Sequence, residues 1–233
     1  ADRLTTYRQI CAQVAREQNL IACFMSKPFM GVSANGCHTN VSLWKGGDLK
    51  STPIGNDPLP GMEQVFTHIS GGENMFMPDP KIDAVKPGPV GLQSIAGLLR
   101  HLPALTCLGS PTVNSYRRLW DTGFWAPVYA DWGYQNRTCS VRVSAPGRVE
   151  YRSVDSTHNP YLMGAGILKA FDDGIDNNYD PGEPEKRNIY DAMKAGKKVE
   201  KLPLTLGEAI ERLENDDVVK GALPEDMLRV FMH

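Results

Sequence analysis

RVEYR, residues 148–152, decides how the rest of this chain is read. As a β-strand it alternates faces, with Arg148, Glu150 and Arg152 on one side and Val149 and Tyr151 on the other. A carboxylate between two guanidinium groups on one face has two physical readings. One is a solvated ladder of surface ion pairs, each worth little. The other is a polyanion site, where the carboxylate holds a metal and the arginines hold phosphate or carboxylate oxygens. The segment alone leaves both open, so its neighbours must decide.

GCHTNVSLW (36–44) is expected to form a second strand, with His38, Asn40 and Ser42 on one face and Thr39, Val41 and Leu43 on the other. A lone histidine on a polar strand face is more often solvated than a ligand. Two strands with complementary polar faces change the weighing, because neutral imidazole and carboxylate can ligate one divalent ion while arginines neutralise phosphate. NSYRRL (114–119) adds Arg117 and Arg118 after a turn, and NRTCSVR (136–142) adds Arg137 and Arg142. These arginines lie in segments otherwise rich in apolar and β-forming residues, where an unpaired charge is costly. Internal carboxylates or an external substrate can supply the anions, and spacing does not choose between them.

The 233 residues suffice for one large domain or two small ones, and 41% hydrophobic with 22% charged residues is ordinary for a globular protein. A net charge of −2 without a basic stripe argues against nucleic acid and against anionic membranes. No apolar run is long enough to span a bilayer. Five cysteines (Cys11, Cys23, Cys37, Cys107, Cys139), an odd count without a CxxC, fit a reduced cytoplasmic compartment.

The pattern along the chain is α+β. ADRLTTYRQICAQVAREQ opens as an amphipathic helix with Asp2 as N-cap, and PEDMLRVFMH closes in a helix from Pro224; both ends read as cut from a longer polypeptide. LIACFMSKPF (20–29) is expected as a buried strand. Residues 46–91, rich in Gly and Pro, read as a long irregular excursion. A helix over 91–110 should kink or restart near Pro103. Strands are expected at 126–132 and 138–143, a helix from Pro160, and a capping box from Thr205 to Glu208. DNNYDPGEPEKR fails as a calcium loop, because Pro181 takes the turn position and Arg187 the last ligand position.

Together these motifs resemble the catalytic domain of the glutamine synthetase superfamily. KPFMGVSANGCHTNVS (27–42) is similar to its ATP-region signature, NSYRRL to its glutamate-binding loop, and NRTCSVRV…GRVEYR…NPYL to its strand pair and following helix. The resemblance implies an antiparallel sheet or half-barrel flanked by helices, incomplete in this chain, with residues 1–233 forming the C-terminal part of that domain. It implies Mg²⁺ or Mn²⁺ held by His38 and Glu150, and ATP against Asn40, Ser42, Arg137, Arg142 and Arg148. L-Glutamate would be held by Arg118, Arg137, Arg152, Ser33 and Ala34. The implied chemistry is formation of γ-glutamyl phosphate followed by attack of an amine, in a ring-shaped homo-oligomer whose active sites form between subunits.

Three departures from the family pattern bear in turn on the glutamate contact, on adenine stacking and on which amine is used. The Asn-Gly pair usual before the histidine motif is Ser33-Ala34, and the histidine often found two places after the metal ligand is Asn40. Ammonia-using members carry a glutamate just before an Ala-Pro on the flap, and here DTGFWAP places Trp125 there. An indole takes no proton from ammonium, but its face can receive an alkylammonium. The flap is similar to that of the γ-glutamylmethylamide synthetase (glutamate–methylamine ligase) branch, which implies Trp125 as a catalytic-site residue beside Arg137 and Arg152. Simple packing of Trp125, an ammonia-using enzyme, and a silent structural or regulatory family member are the competing expectations.

Overall fold

The computed structural model describes residues 1–53, 64–78, 86–120 and 125–232. Its first helix, α1 (Asp2–Glu17), follows the apolar spacing, but Ala1 rather than Asp2 takes the N-cap position and no residue of the helix is buried. Arg8 moors it, donating to the carbonyls of His158 at 3.1 Å and Ser156 at 2.5 Å. The buried strand expected over 20–29 does not form, and Ile21 is 93% exposed. The reason is a tertiary contact. The Asn114 side chain takes both backbone groups of Lys27, accepting from its N–H at 2.8 Å and donating to its carbonyl at 2.9 Å, so neither is left for a sheet neighbour.

GCHTNVSLW divides into β1 (Thr39–Val41) and β2 (Trp44–Lys45), followed by β3 (Asp48–Pro53), β4 (Gln64–Ser70) and β5 (Glu73–Asn74). The expected excursion is therefore partly regular: β3 pairs antiparallel with β4, and β2 with β5. Its residues 54–63 and 79–85 lie outside the described residues. α2 (Pro89–Gly109) runs unbroken through Pro103 instead of restarting there. It is buried along most of its length, and packing on several sides holds the helix across the one missing N–H. NSYRRL lies within a short helix, α3 (Val113–Trp120).

Next come β6 (Trp132–Tyr134), β7 (Val141–Ala145) and β8 (Arg148–Tyr151), then α4 (Pro160–Asp176), α5 (Ile189–Lys194), α6 (Leu206–Glu214), α7 (Asp217–Lys220) and α8 (Glu225–Met232). The strand expected over 126–132 is mostly lost to a different partner, since Ala130 N–H and Leu202 N–H join this segment to residues 200–202. The strand expected from 138 begins at Val141, because the Asn136 side chain holds Thr138 in a turn. The sheet runs β1-β8-β7-β6; β1–β8 and β8–β7 are antiparallel but β6–β7 is parallel, so it is mixed where an antiparallel one was expected.

Val141, Val143, Val149 and Tyr151 on the inner face of the sheet meet Leu98, Leu102, Leu105 and Leu108 of α2 in one apolar core. On its other side α2 packs against α4, closely enough that a Cβ on Gly97 would overlap the Ala170 carbonyl and one on Gly174 the Gln93 carbonyl. Asn159 caps α4 through Tyr161 N–H and Leu162 N–H, with Pro160 first in the helix as expected. Thr205 caps Glu208 N–H in α6, while the Glu208 carboxylate reaches back to Leu204 N–H rather than to Thr205 itself.

Candidate active site

The register of the sheet builds the site around Glu150. It stands opposite Asn40 on β1 and opposite Arg142 on β7, and residues directly opposed across strands share a face. Glu150 is 6% and Arg152 4% exposed, so the solvated-ladder reading of RVEYR fails. Arg142 Nη1 donates to Glu150 Oε2 at 2.9 Å, and Arg152 Nη1 donates to Oε1 at 3.1 Å. His38 Nδ1 lies 3.0 Å from the same Oε1. Both carboxylate oxygens are thus engaged by cationic or N–H groups, which is what a buried carboxylate needs.

The loop from 135 to 140 supplies the next group. Gln135, at φ +51°, accepts from Arg142 Nη2 at 2.6 Å and donates to the Ser144 carbonyl at 2.5 Å, holding the guanidinium from the side away from Glu150. Asn136 ties the loop to the carbonyls of Glu185 and Arg187 at 2.9 and 2.8 Å. Between them Arg137 is exposed, and its carbonyl accepts from Arg152 Nη2 at 3.0 Å. Neither Gln135 nor Asn136 carries a sequence signal that would have marked it as support for the arginines.

Burial, then the neighbouring Arg152 charge, hold His38 down to about 4 against the pull of Glu150, so the ring is neutral at pH 7. Its Nδ1 also lies 3.2 Å from Arg152 Nη1, so the tautomer decides whether it donates to Glu150 or accepts from Arg152, and only in the first case does Nε2 keep a lone pair able to ligate. Arg118 lies behind this layer, 4% exposed, with Nη2 donating to the Arg152 carbonyl at 3.2 Å. Burial lowers it to about 10, with the Asp155 charge the first opposing influence. A Cβ on Gly36 would stand 3.0 Å from His38 Nε2 and 3.4 Å from Arg118 Nη2, so the bare backbone of Gly36 lets both approach.

His38, Trp125, Arg137, Arg142, Glu150 and Arg152 line one cavity of about 610 Å³. Trp125 is 57% exposed at φ +64°, a conformation costing a non-glycine residue roughly 1–2 kcal/mol. Flap residues 121–124 lie outside the described residues. The other expected site residues are set apart from this lining. Asn40 is exposed beside Glu150, and Ser42 accepts a hydrogen bond from the Trp44 indole at 2.9 Å. Ser33 is exposed and Ala34 half-buried in the loop before His38. Arg148 stands at the exposed start of β8, opposite Ala145, and does not reach the cavity.

The donors suit a hard divalent ion in kind, a carboxylate oxygen and a neutral imidazole nitrogen, but they are two. No cluster of three or more His, Cys, Asp or Glu side chains able to hold a metal occurs among the described residues. Such an ion would draw its remaining ligands from phosphate oxygens or from groups outside these residues.

The glutamine synthetase catalytic-domain family model matches residues 1–79 and 61–233, and this chain belongs to that family. It is 38% identical over 230 residues to glutamine synthetase from Pyrococcus furiosus, covering 96% of this chain and 45% of that protein. It is 34% identical over 243 residues to glutamine synthetase from Sulfolobus acidocaldarius, covering 46% of that protein. Among solved structures it superimposes on ligand-free GmaS, a γ-glutamylmethylamide synthetase, with a TM-score of 0.79 at 33% identity, covering 99% of this chain and 47% of that one. A GmaS–ADP complex gives a TM-score of 0.80. The chain spans about half the length of the curated relatives it matches.

Proposed function

We propose that this chain forms the phosphate- and glutamate-binding part of an ATP-dependent carbon–nitrogen ligase that joins a small alkylamine, such as methylamine, to the γ-carboxylate of L-glutamate. One observation carries the reading: Arg137, Arg142 and Arg152 face a cavity whose lining, among the described residues, holds a single carboxylate, with an indole on its rim. A surplus of positive charge with too few internal partners calls for an external polyanion. In this reading a γ-carboxylate oxygen of glutamate attacks the γ-phosphorus of ATP and ADP leaves. The amine then attacks the acyl carbon of the γ-glutamyl phosphate, phosphate departs and the amine gives up a proton.

Arg142 and Arg137 would meet phosphate oxygens, and Arg152, Arg118 and the Ser33-Ala34 backbone the glutamate. Asn40, Ser42 and Arg148 would lie toward the nucleotide. His38 and Glu150 would hold one Mg²⁺ or Mn²⁺, which when bound neutralises charge on the transferred phosphoryl group. Trp125 would take the alkylammonium against its face. Ring-shaped homo-oligomers and a cytoplasmic setting belong to the same proposal, supported by family membership and by the five unpaired cysteines. No helix among the described residues is long and apolar enough to cross a membrane.

A second reading, glutamine synthetase using ammonia, is favoured by the names of the curated relatives. The two separate in an assay of ADP release by the protein in its native assembly with ATP, glutamate and Mg²⁺, comparing methylamine and ammonium at matched free-amine concentration. Preference for methylamine supports the first reading, and preference for ammonium replaces it with the second.

A further inference from the structure

Arg118 divides its guanidinium between two environments. Nη2 grips the Arg152 carbonyl and borders Gly36 and His38, so it is the end nearest the cavity. Nη1 is turned inward and finds no partner among the protein atoms. Three other buried polar atoms are equally unpartnered, Asp155 Oδ2, Tyr116 Oη and Tyr151 Oη; the charges of Asp155 and Tyr151 act on Arg118, and the same two act on Tyr116. All four residues are at most 4% exposed.

Asp155 is tied to the helix that carries Arg118. Its Oδ1 accepts from Thr157 N–H at 2.7 Å and from the Thr157 hydroxyl at 2.6 Å. That hydroxyl lies 3.4 Å from Ser115 Oγ, and Ser115 precedes Arg118 by three residues, on the same face of α3. Its backbone is fixed as well, because Asp155 N–H donates to the Gly109 carbonyl at the end of α2. Both elements that set the position of Arg118, α3 and the segment after β8, therefore converge on one carboxylate with a free oxygen.

We infer that Asp155 is a positioning residue: one ordered water joins its Oδ2 to Arg118 Nη1, fixing the inner end of the guanidinium so that Nη2 is presented to the glutamate end of the cavity. Burial works against the Arg118 charge, and Asp155 is the first influence opposing it. A polar interior of this kind is completed by buried water making two to four hydrogen bonds, and the tyrosine hydroxyls supply further partners. The inference rests on the glutamate-ligase reading only for what Nη2 binds.

The test is side-chain NMR of the ¹⁵N-labelled protein, with the Arg118 guanidinium signals assigned by their loss in Arg118→Lys. The expected result is separate, slowly exchanging Nη signals in the wild type that exchange at least tenfold faster in Asp155→Asn. Unchanged exchange overturns the inference. Should Asp155→Asn not fold, a high-resolution crystal structure of the wild type decides, by water density shared between Arg118 Nη1 and Asp155 Oδ2 or by Nη1 turned out to the cavity. Titration of both proteins with L-glutamate at saturating Mg²⁺-ADP separates the two claims. A tenfold loss of affinity in the variant supports both. Faster exchange with no glutamate binding by the wild type keeps Asp155 as the positioning residue and removes the ligase reading.

Discussion

Two clusters hold a histidine against carboxylate, and they are balanced in opposite ways. At the back of the molecule His101 lies between Asp216, 2.7 Å from Nδ1, and Asp173, 2.9 Å from Nε2, joining α2 to α4 and to the cap of α7. Burial opposes charge on that ring, but the two carboxylates outweigh it and raise its pKa, while His101 in turn helps hold Asp216 low. At the front, His38 shares one carboxylate with two arginines and is driven neutral. The first cluster sets one imidazolium against two carboxylates and so keeps an acidic excess, and it lines a cavity of about 840 Å³ with Asp180, Glu200 and Asp217. The second leaves a cationic excess facing a cavity. The two cavities therefore differ in sign rather than in being charged, and only the cationic one suits an anionic ligand.

The largest effect expected from disturbing this contrast is Glu150→Gln. It strands Arg142 and Arg152 together in the interior, a loss of about 3–5 kcal/mol by analogy with other broken buried pairs. ADP release should vanish as well. Urea denaturation and the ADP assay check both, and unchanged turnover would remove Glu150 from the reacting site. Gly36→Ala comes next. Its Cβ at 3.0 Å from His38 Nε2 forces that ring or Arg118 aside, at about 1–3 kcal/mol of overpacking, with glutamate-dependent ADP release falling at least tenfold.

His101→Gln tests the acidic cluster and should cost about 1.5–3 kcal/mol at pH 6, the range for hydrogen bonds to charged groups. The folded-state pKa is raised above 6.5, so the clasp stabilises fully below the unfolded-state value and its contribution is lost as pH rises through the folded-state one. Denaturation midpoints of wild type and variant should therefore converge on the alkaline side. A gap that persists there would assign His101 to packing alone. Trp125→Glu is expected to be the mildest for folding, within about 0.5 kcal/mol at this exposed position, yet to move amine preference from methylamine toward ammonium. No shift would reduce the indole to a surface residue.

The alternation in RVEYR was legible because a period of two depends only on the pleat: Val149 and Tyr151 join the core while Glu150 turns to the opposite face, where it meets Arg142 across the sheet. Arg148 shares that face but lies where β8 begins, and periodicity says nothing of where along a strand the cavity ends. Residues 20–29 were misread because an apolar run resembles a strand until a side chain such as Asn114 claims its backbone. The parallel β6–β7 pairing was hidden for a related reason, since a loop of six residues normally signals an antiparallel turn. Gln135 and Asp155 carry no signal in the sequence, because each acts on an arginine brought near only by the fold.

The glycine contact between α2 and α4 has a consequence for how this protein can vary. Most helix positions tolerate alanine, and substituting it for glycine ordinarily favours a helix. At Gly97 and Gly174 the added methyl would meet a carbonyl of the opposite helix, so neither change can be relieved by its neighbour. Random mutagenesis with selection for folded protein should find these two positions closed to every side chain. The exposed face of α1 should be open to nearly all of them.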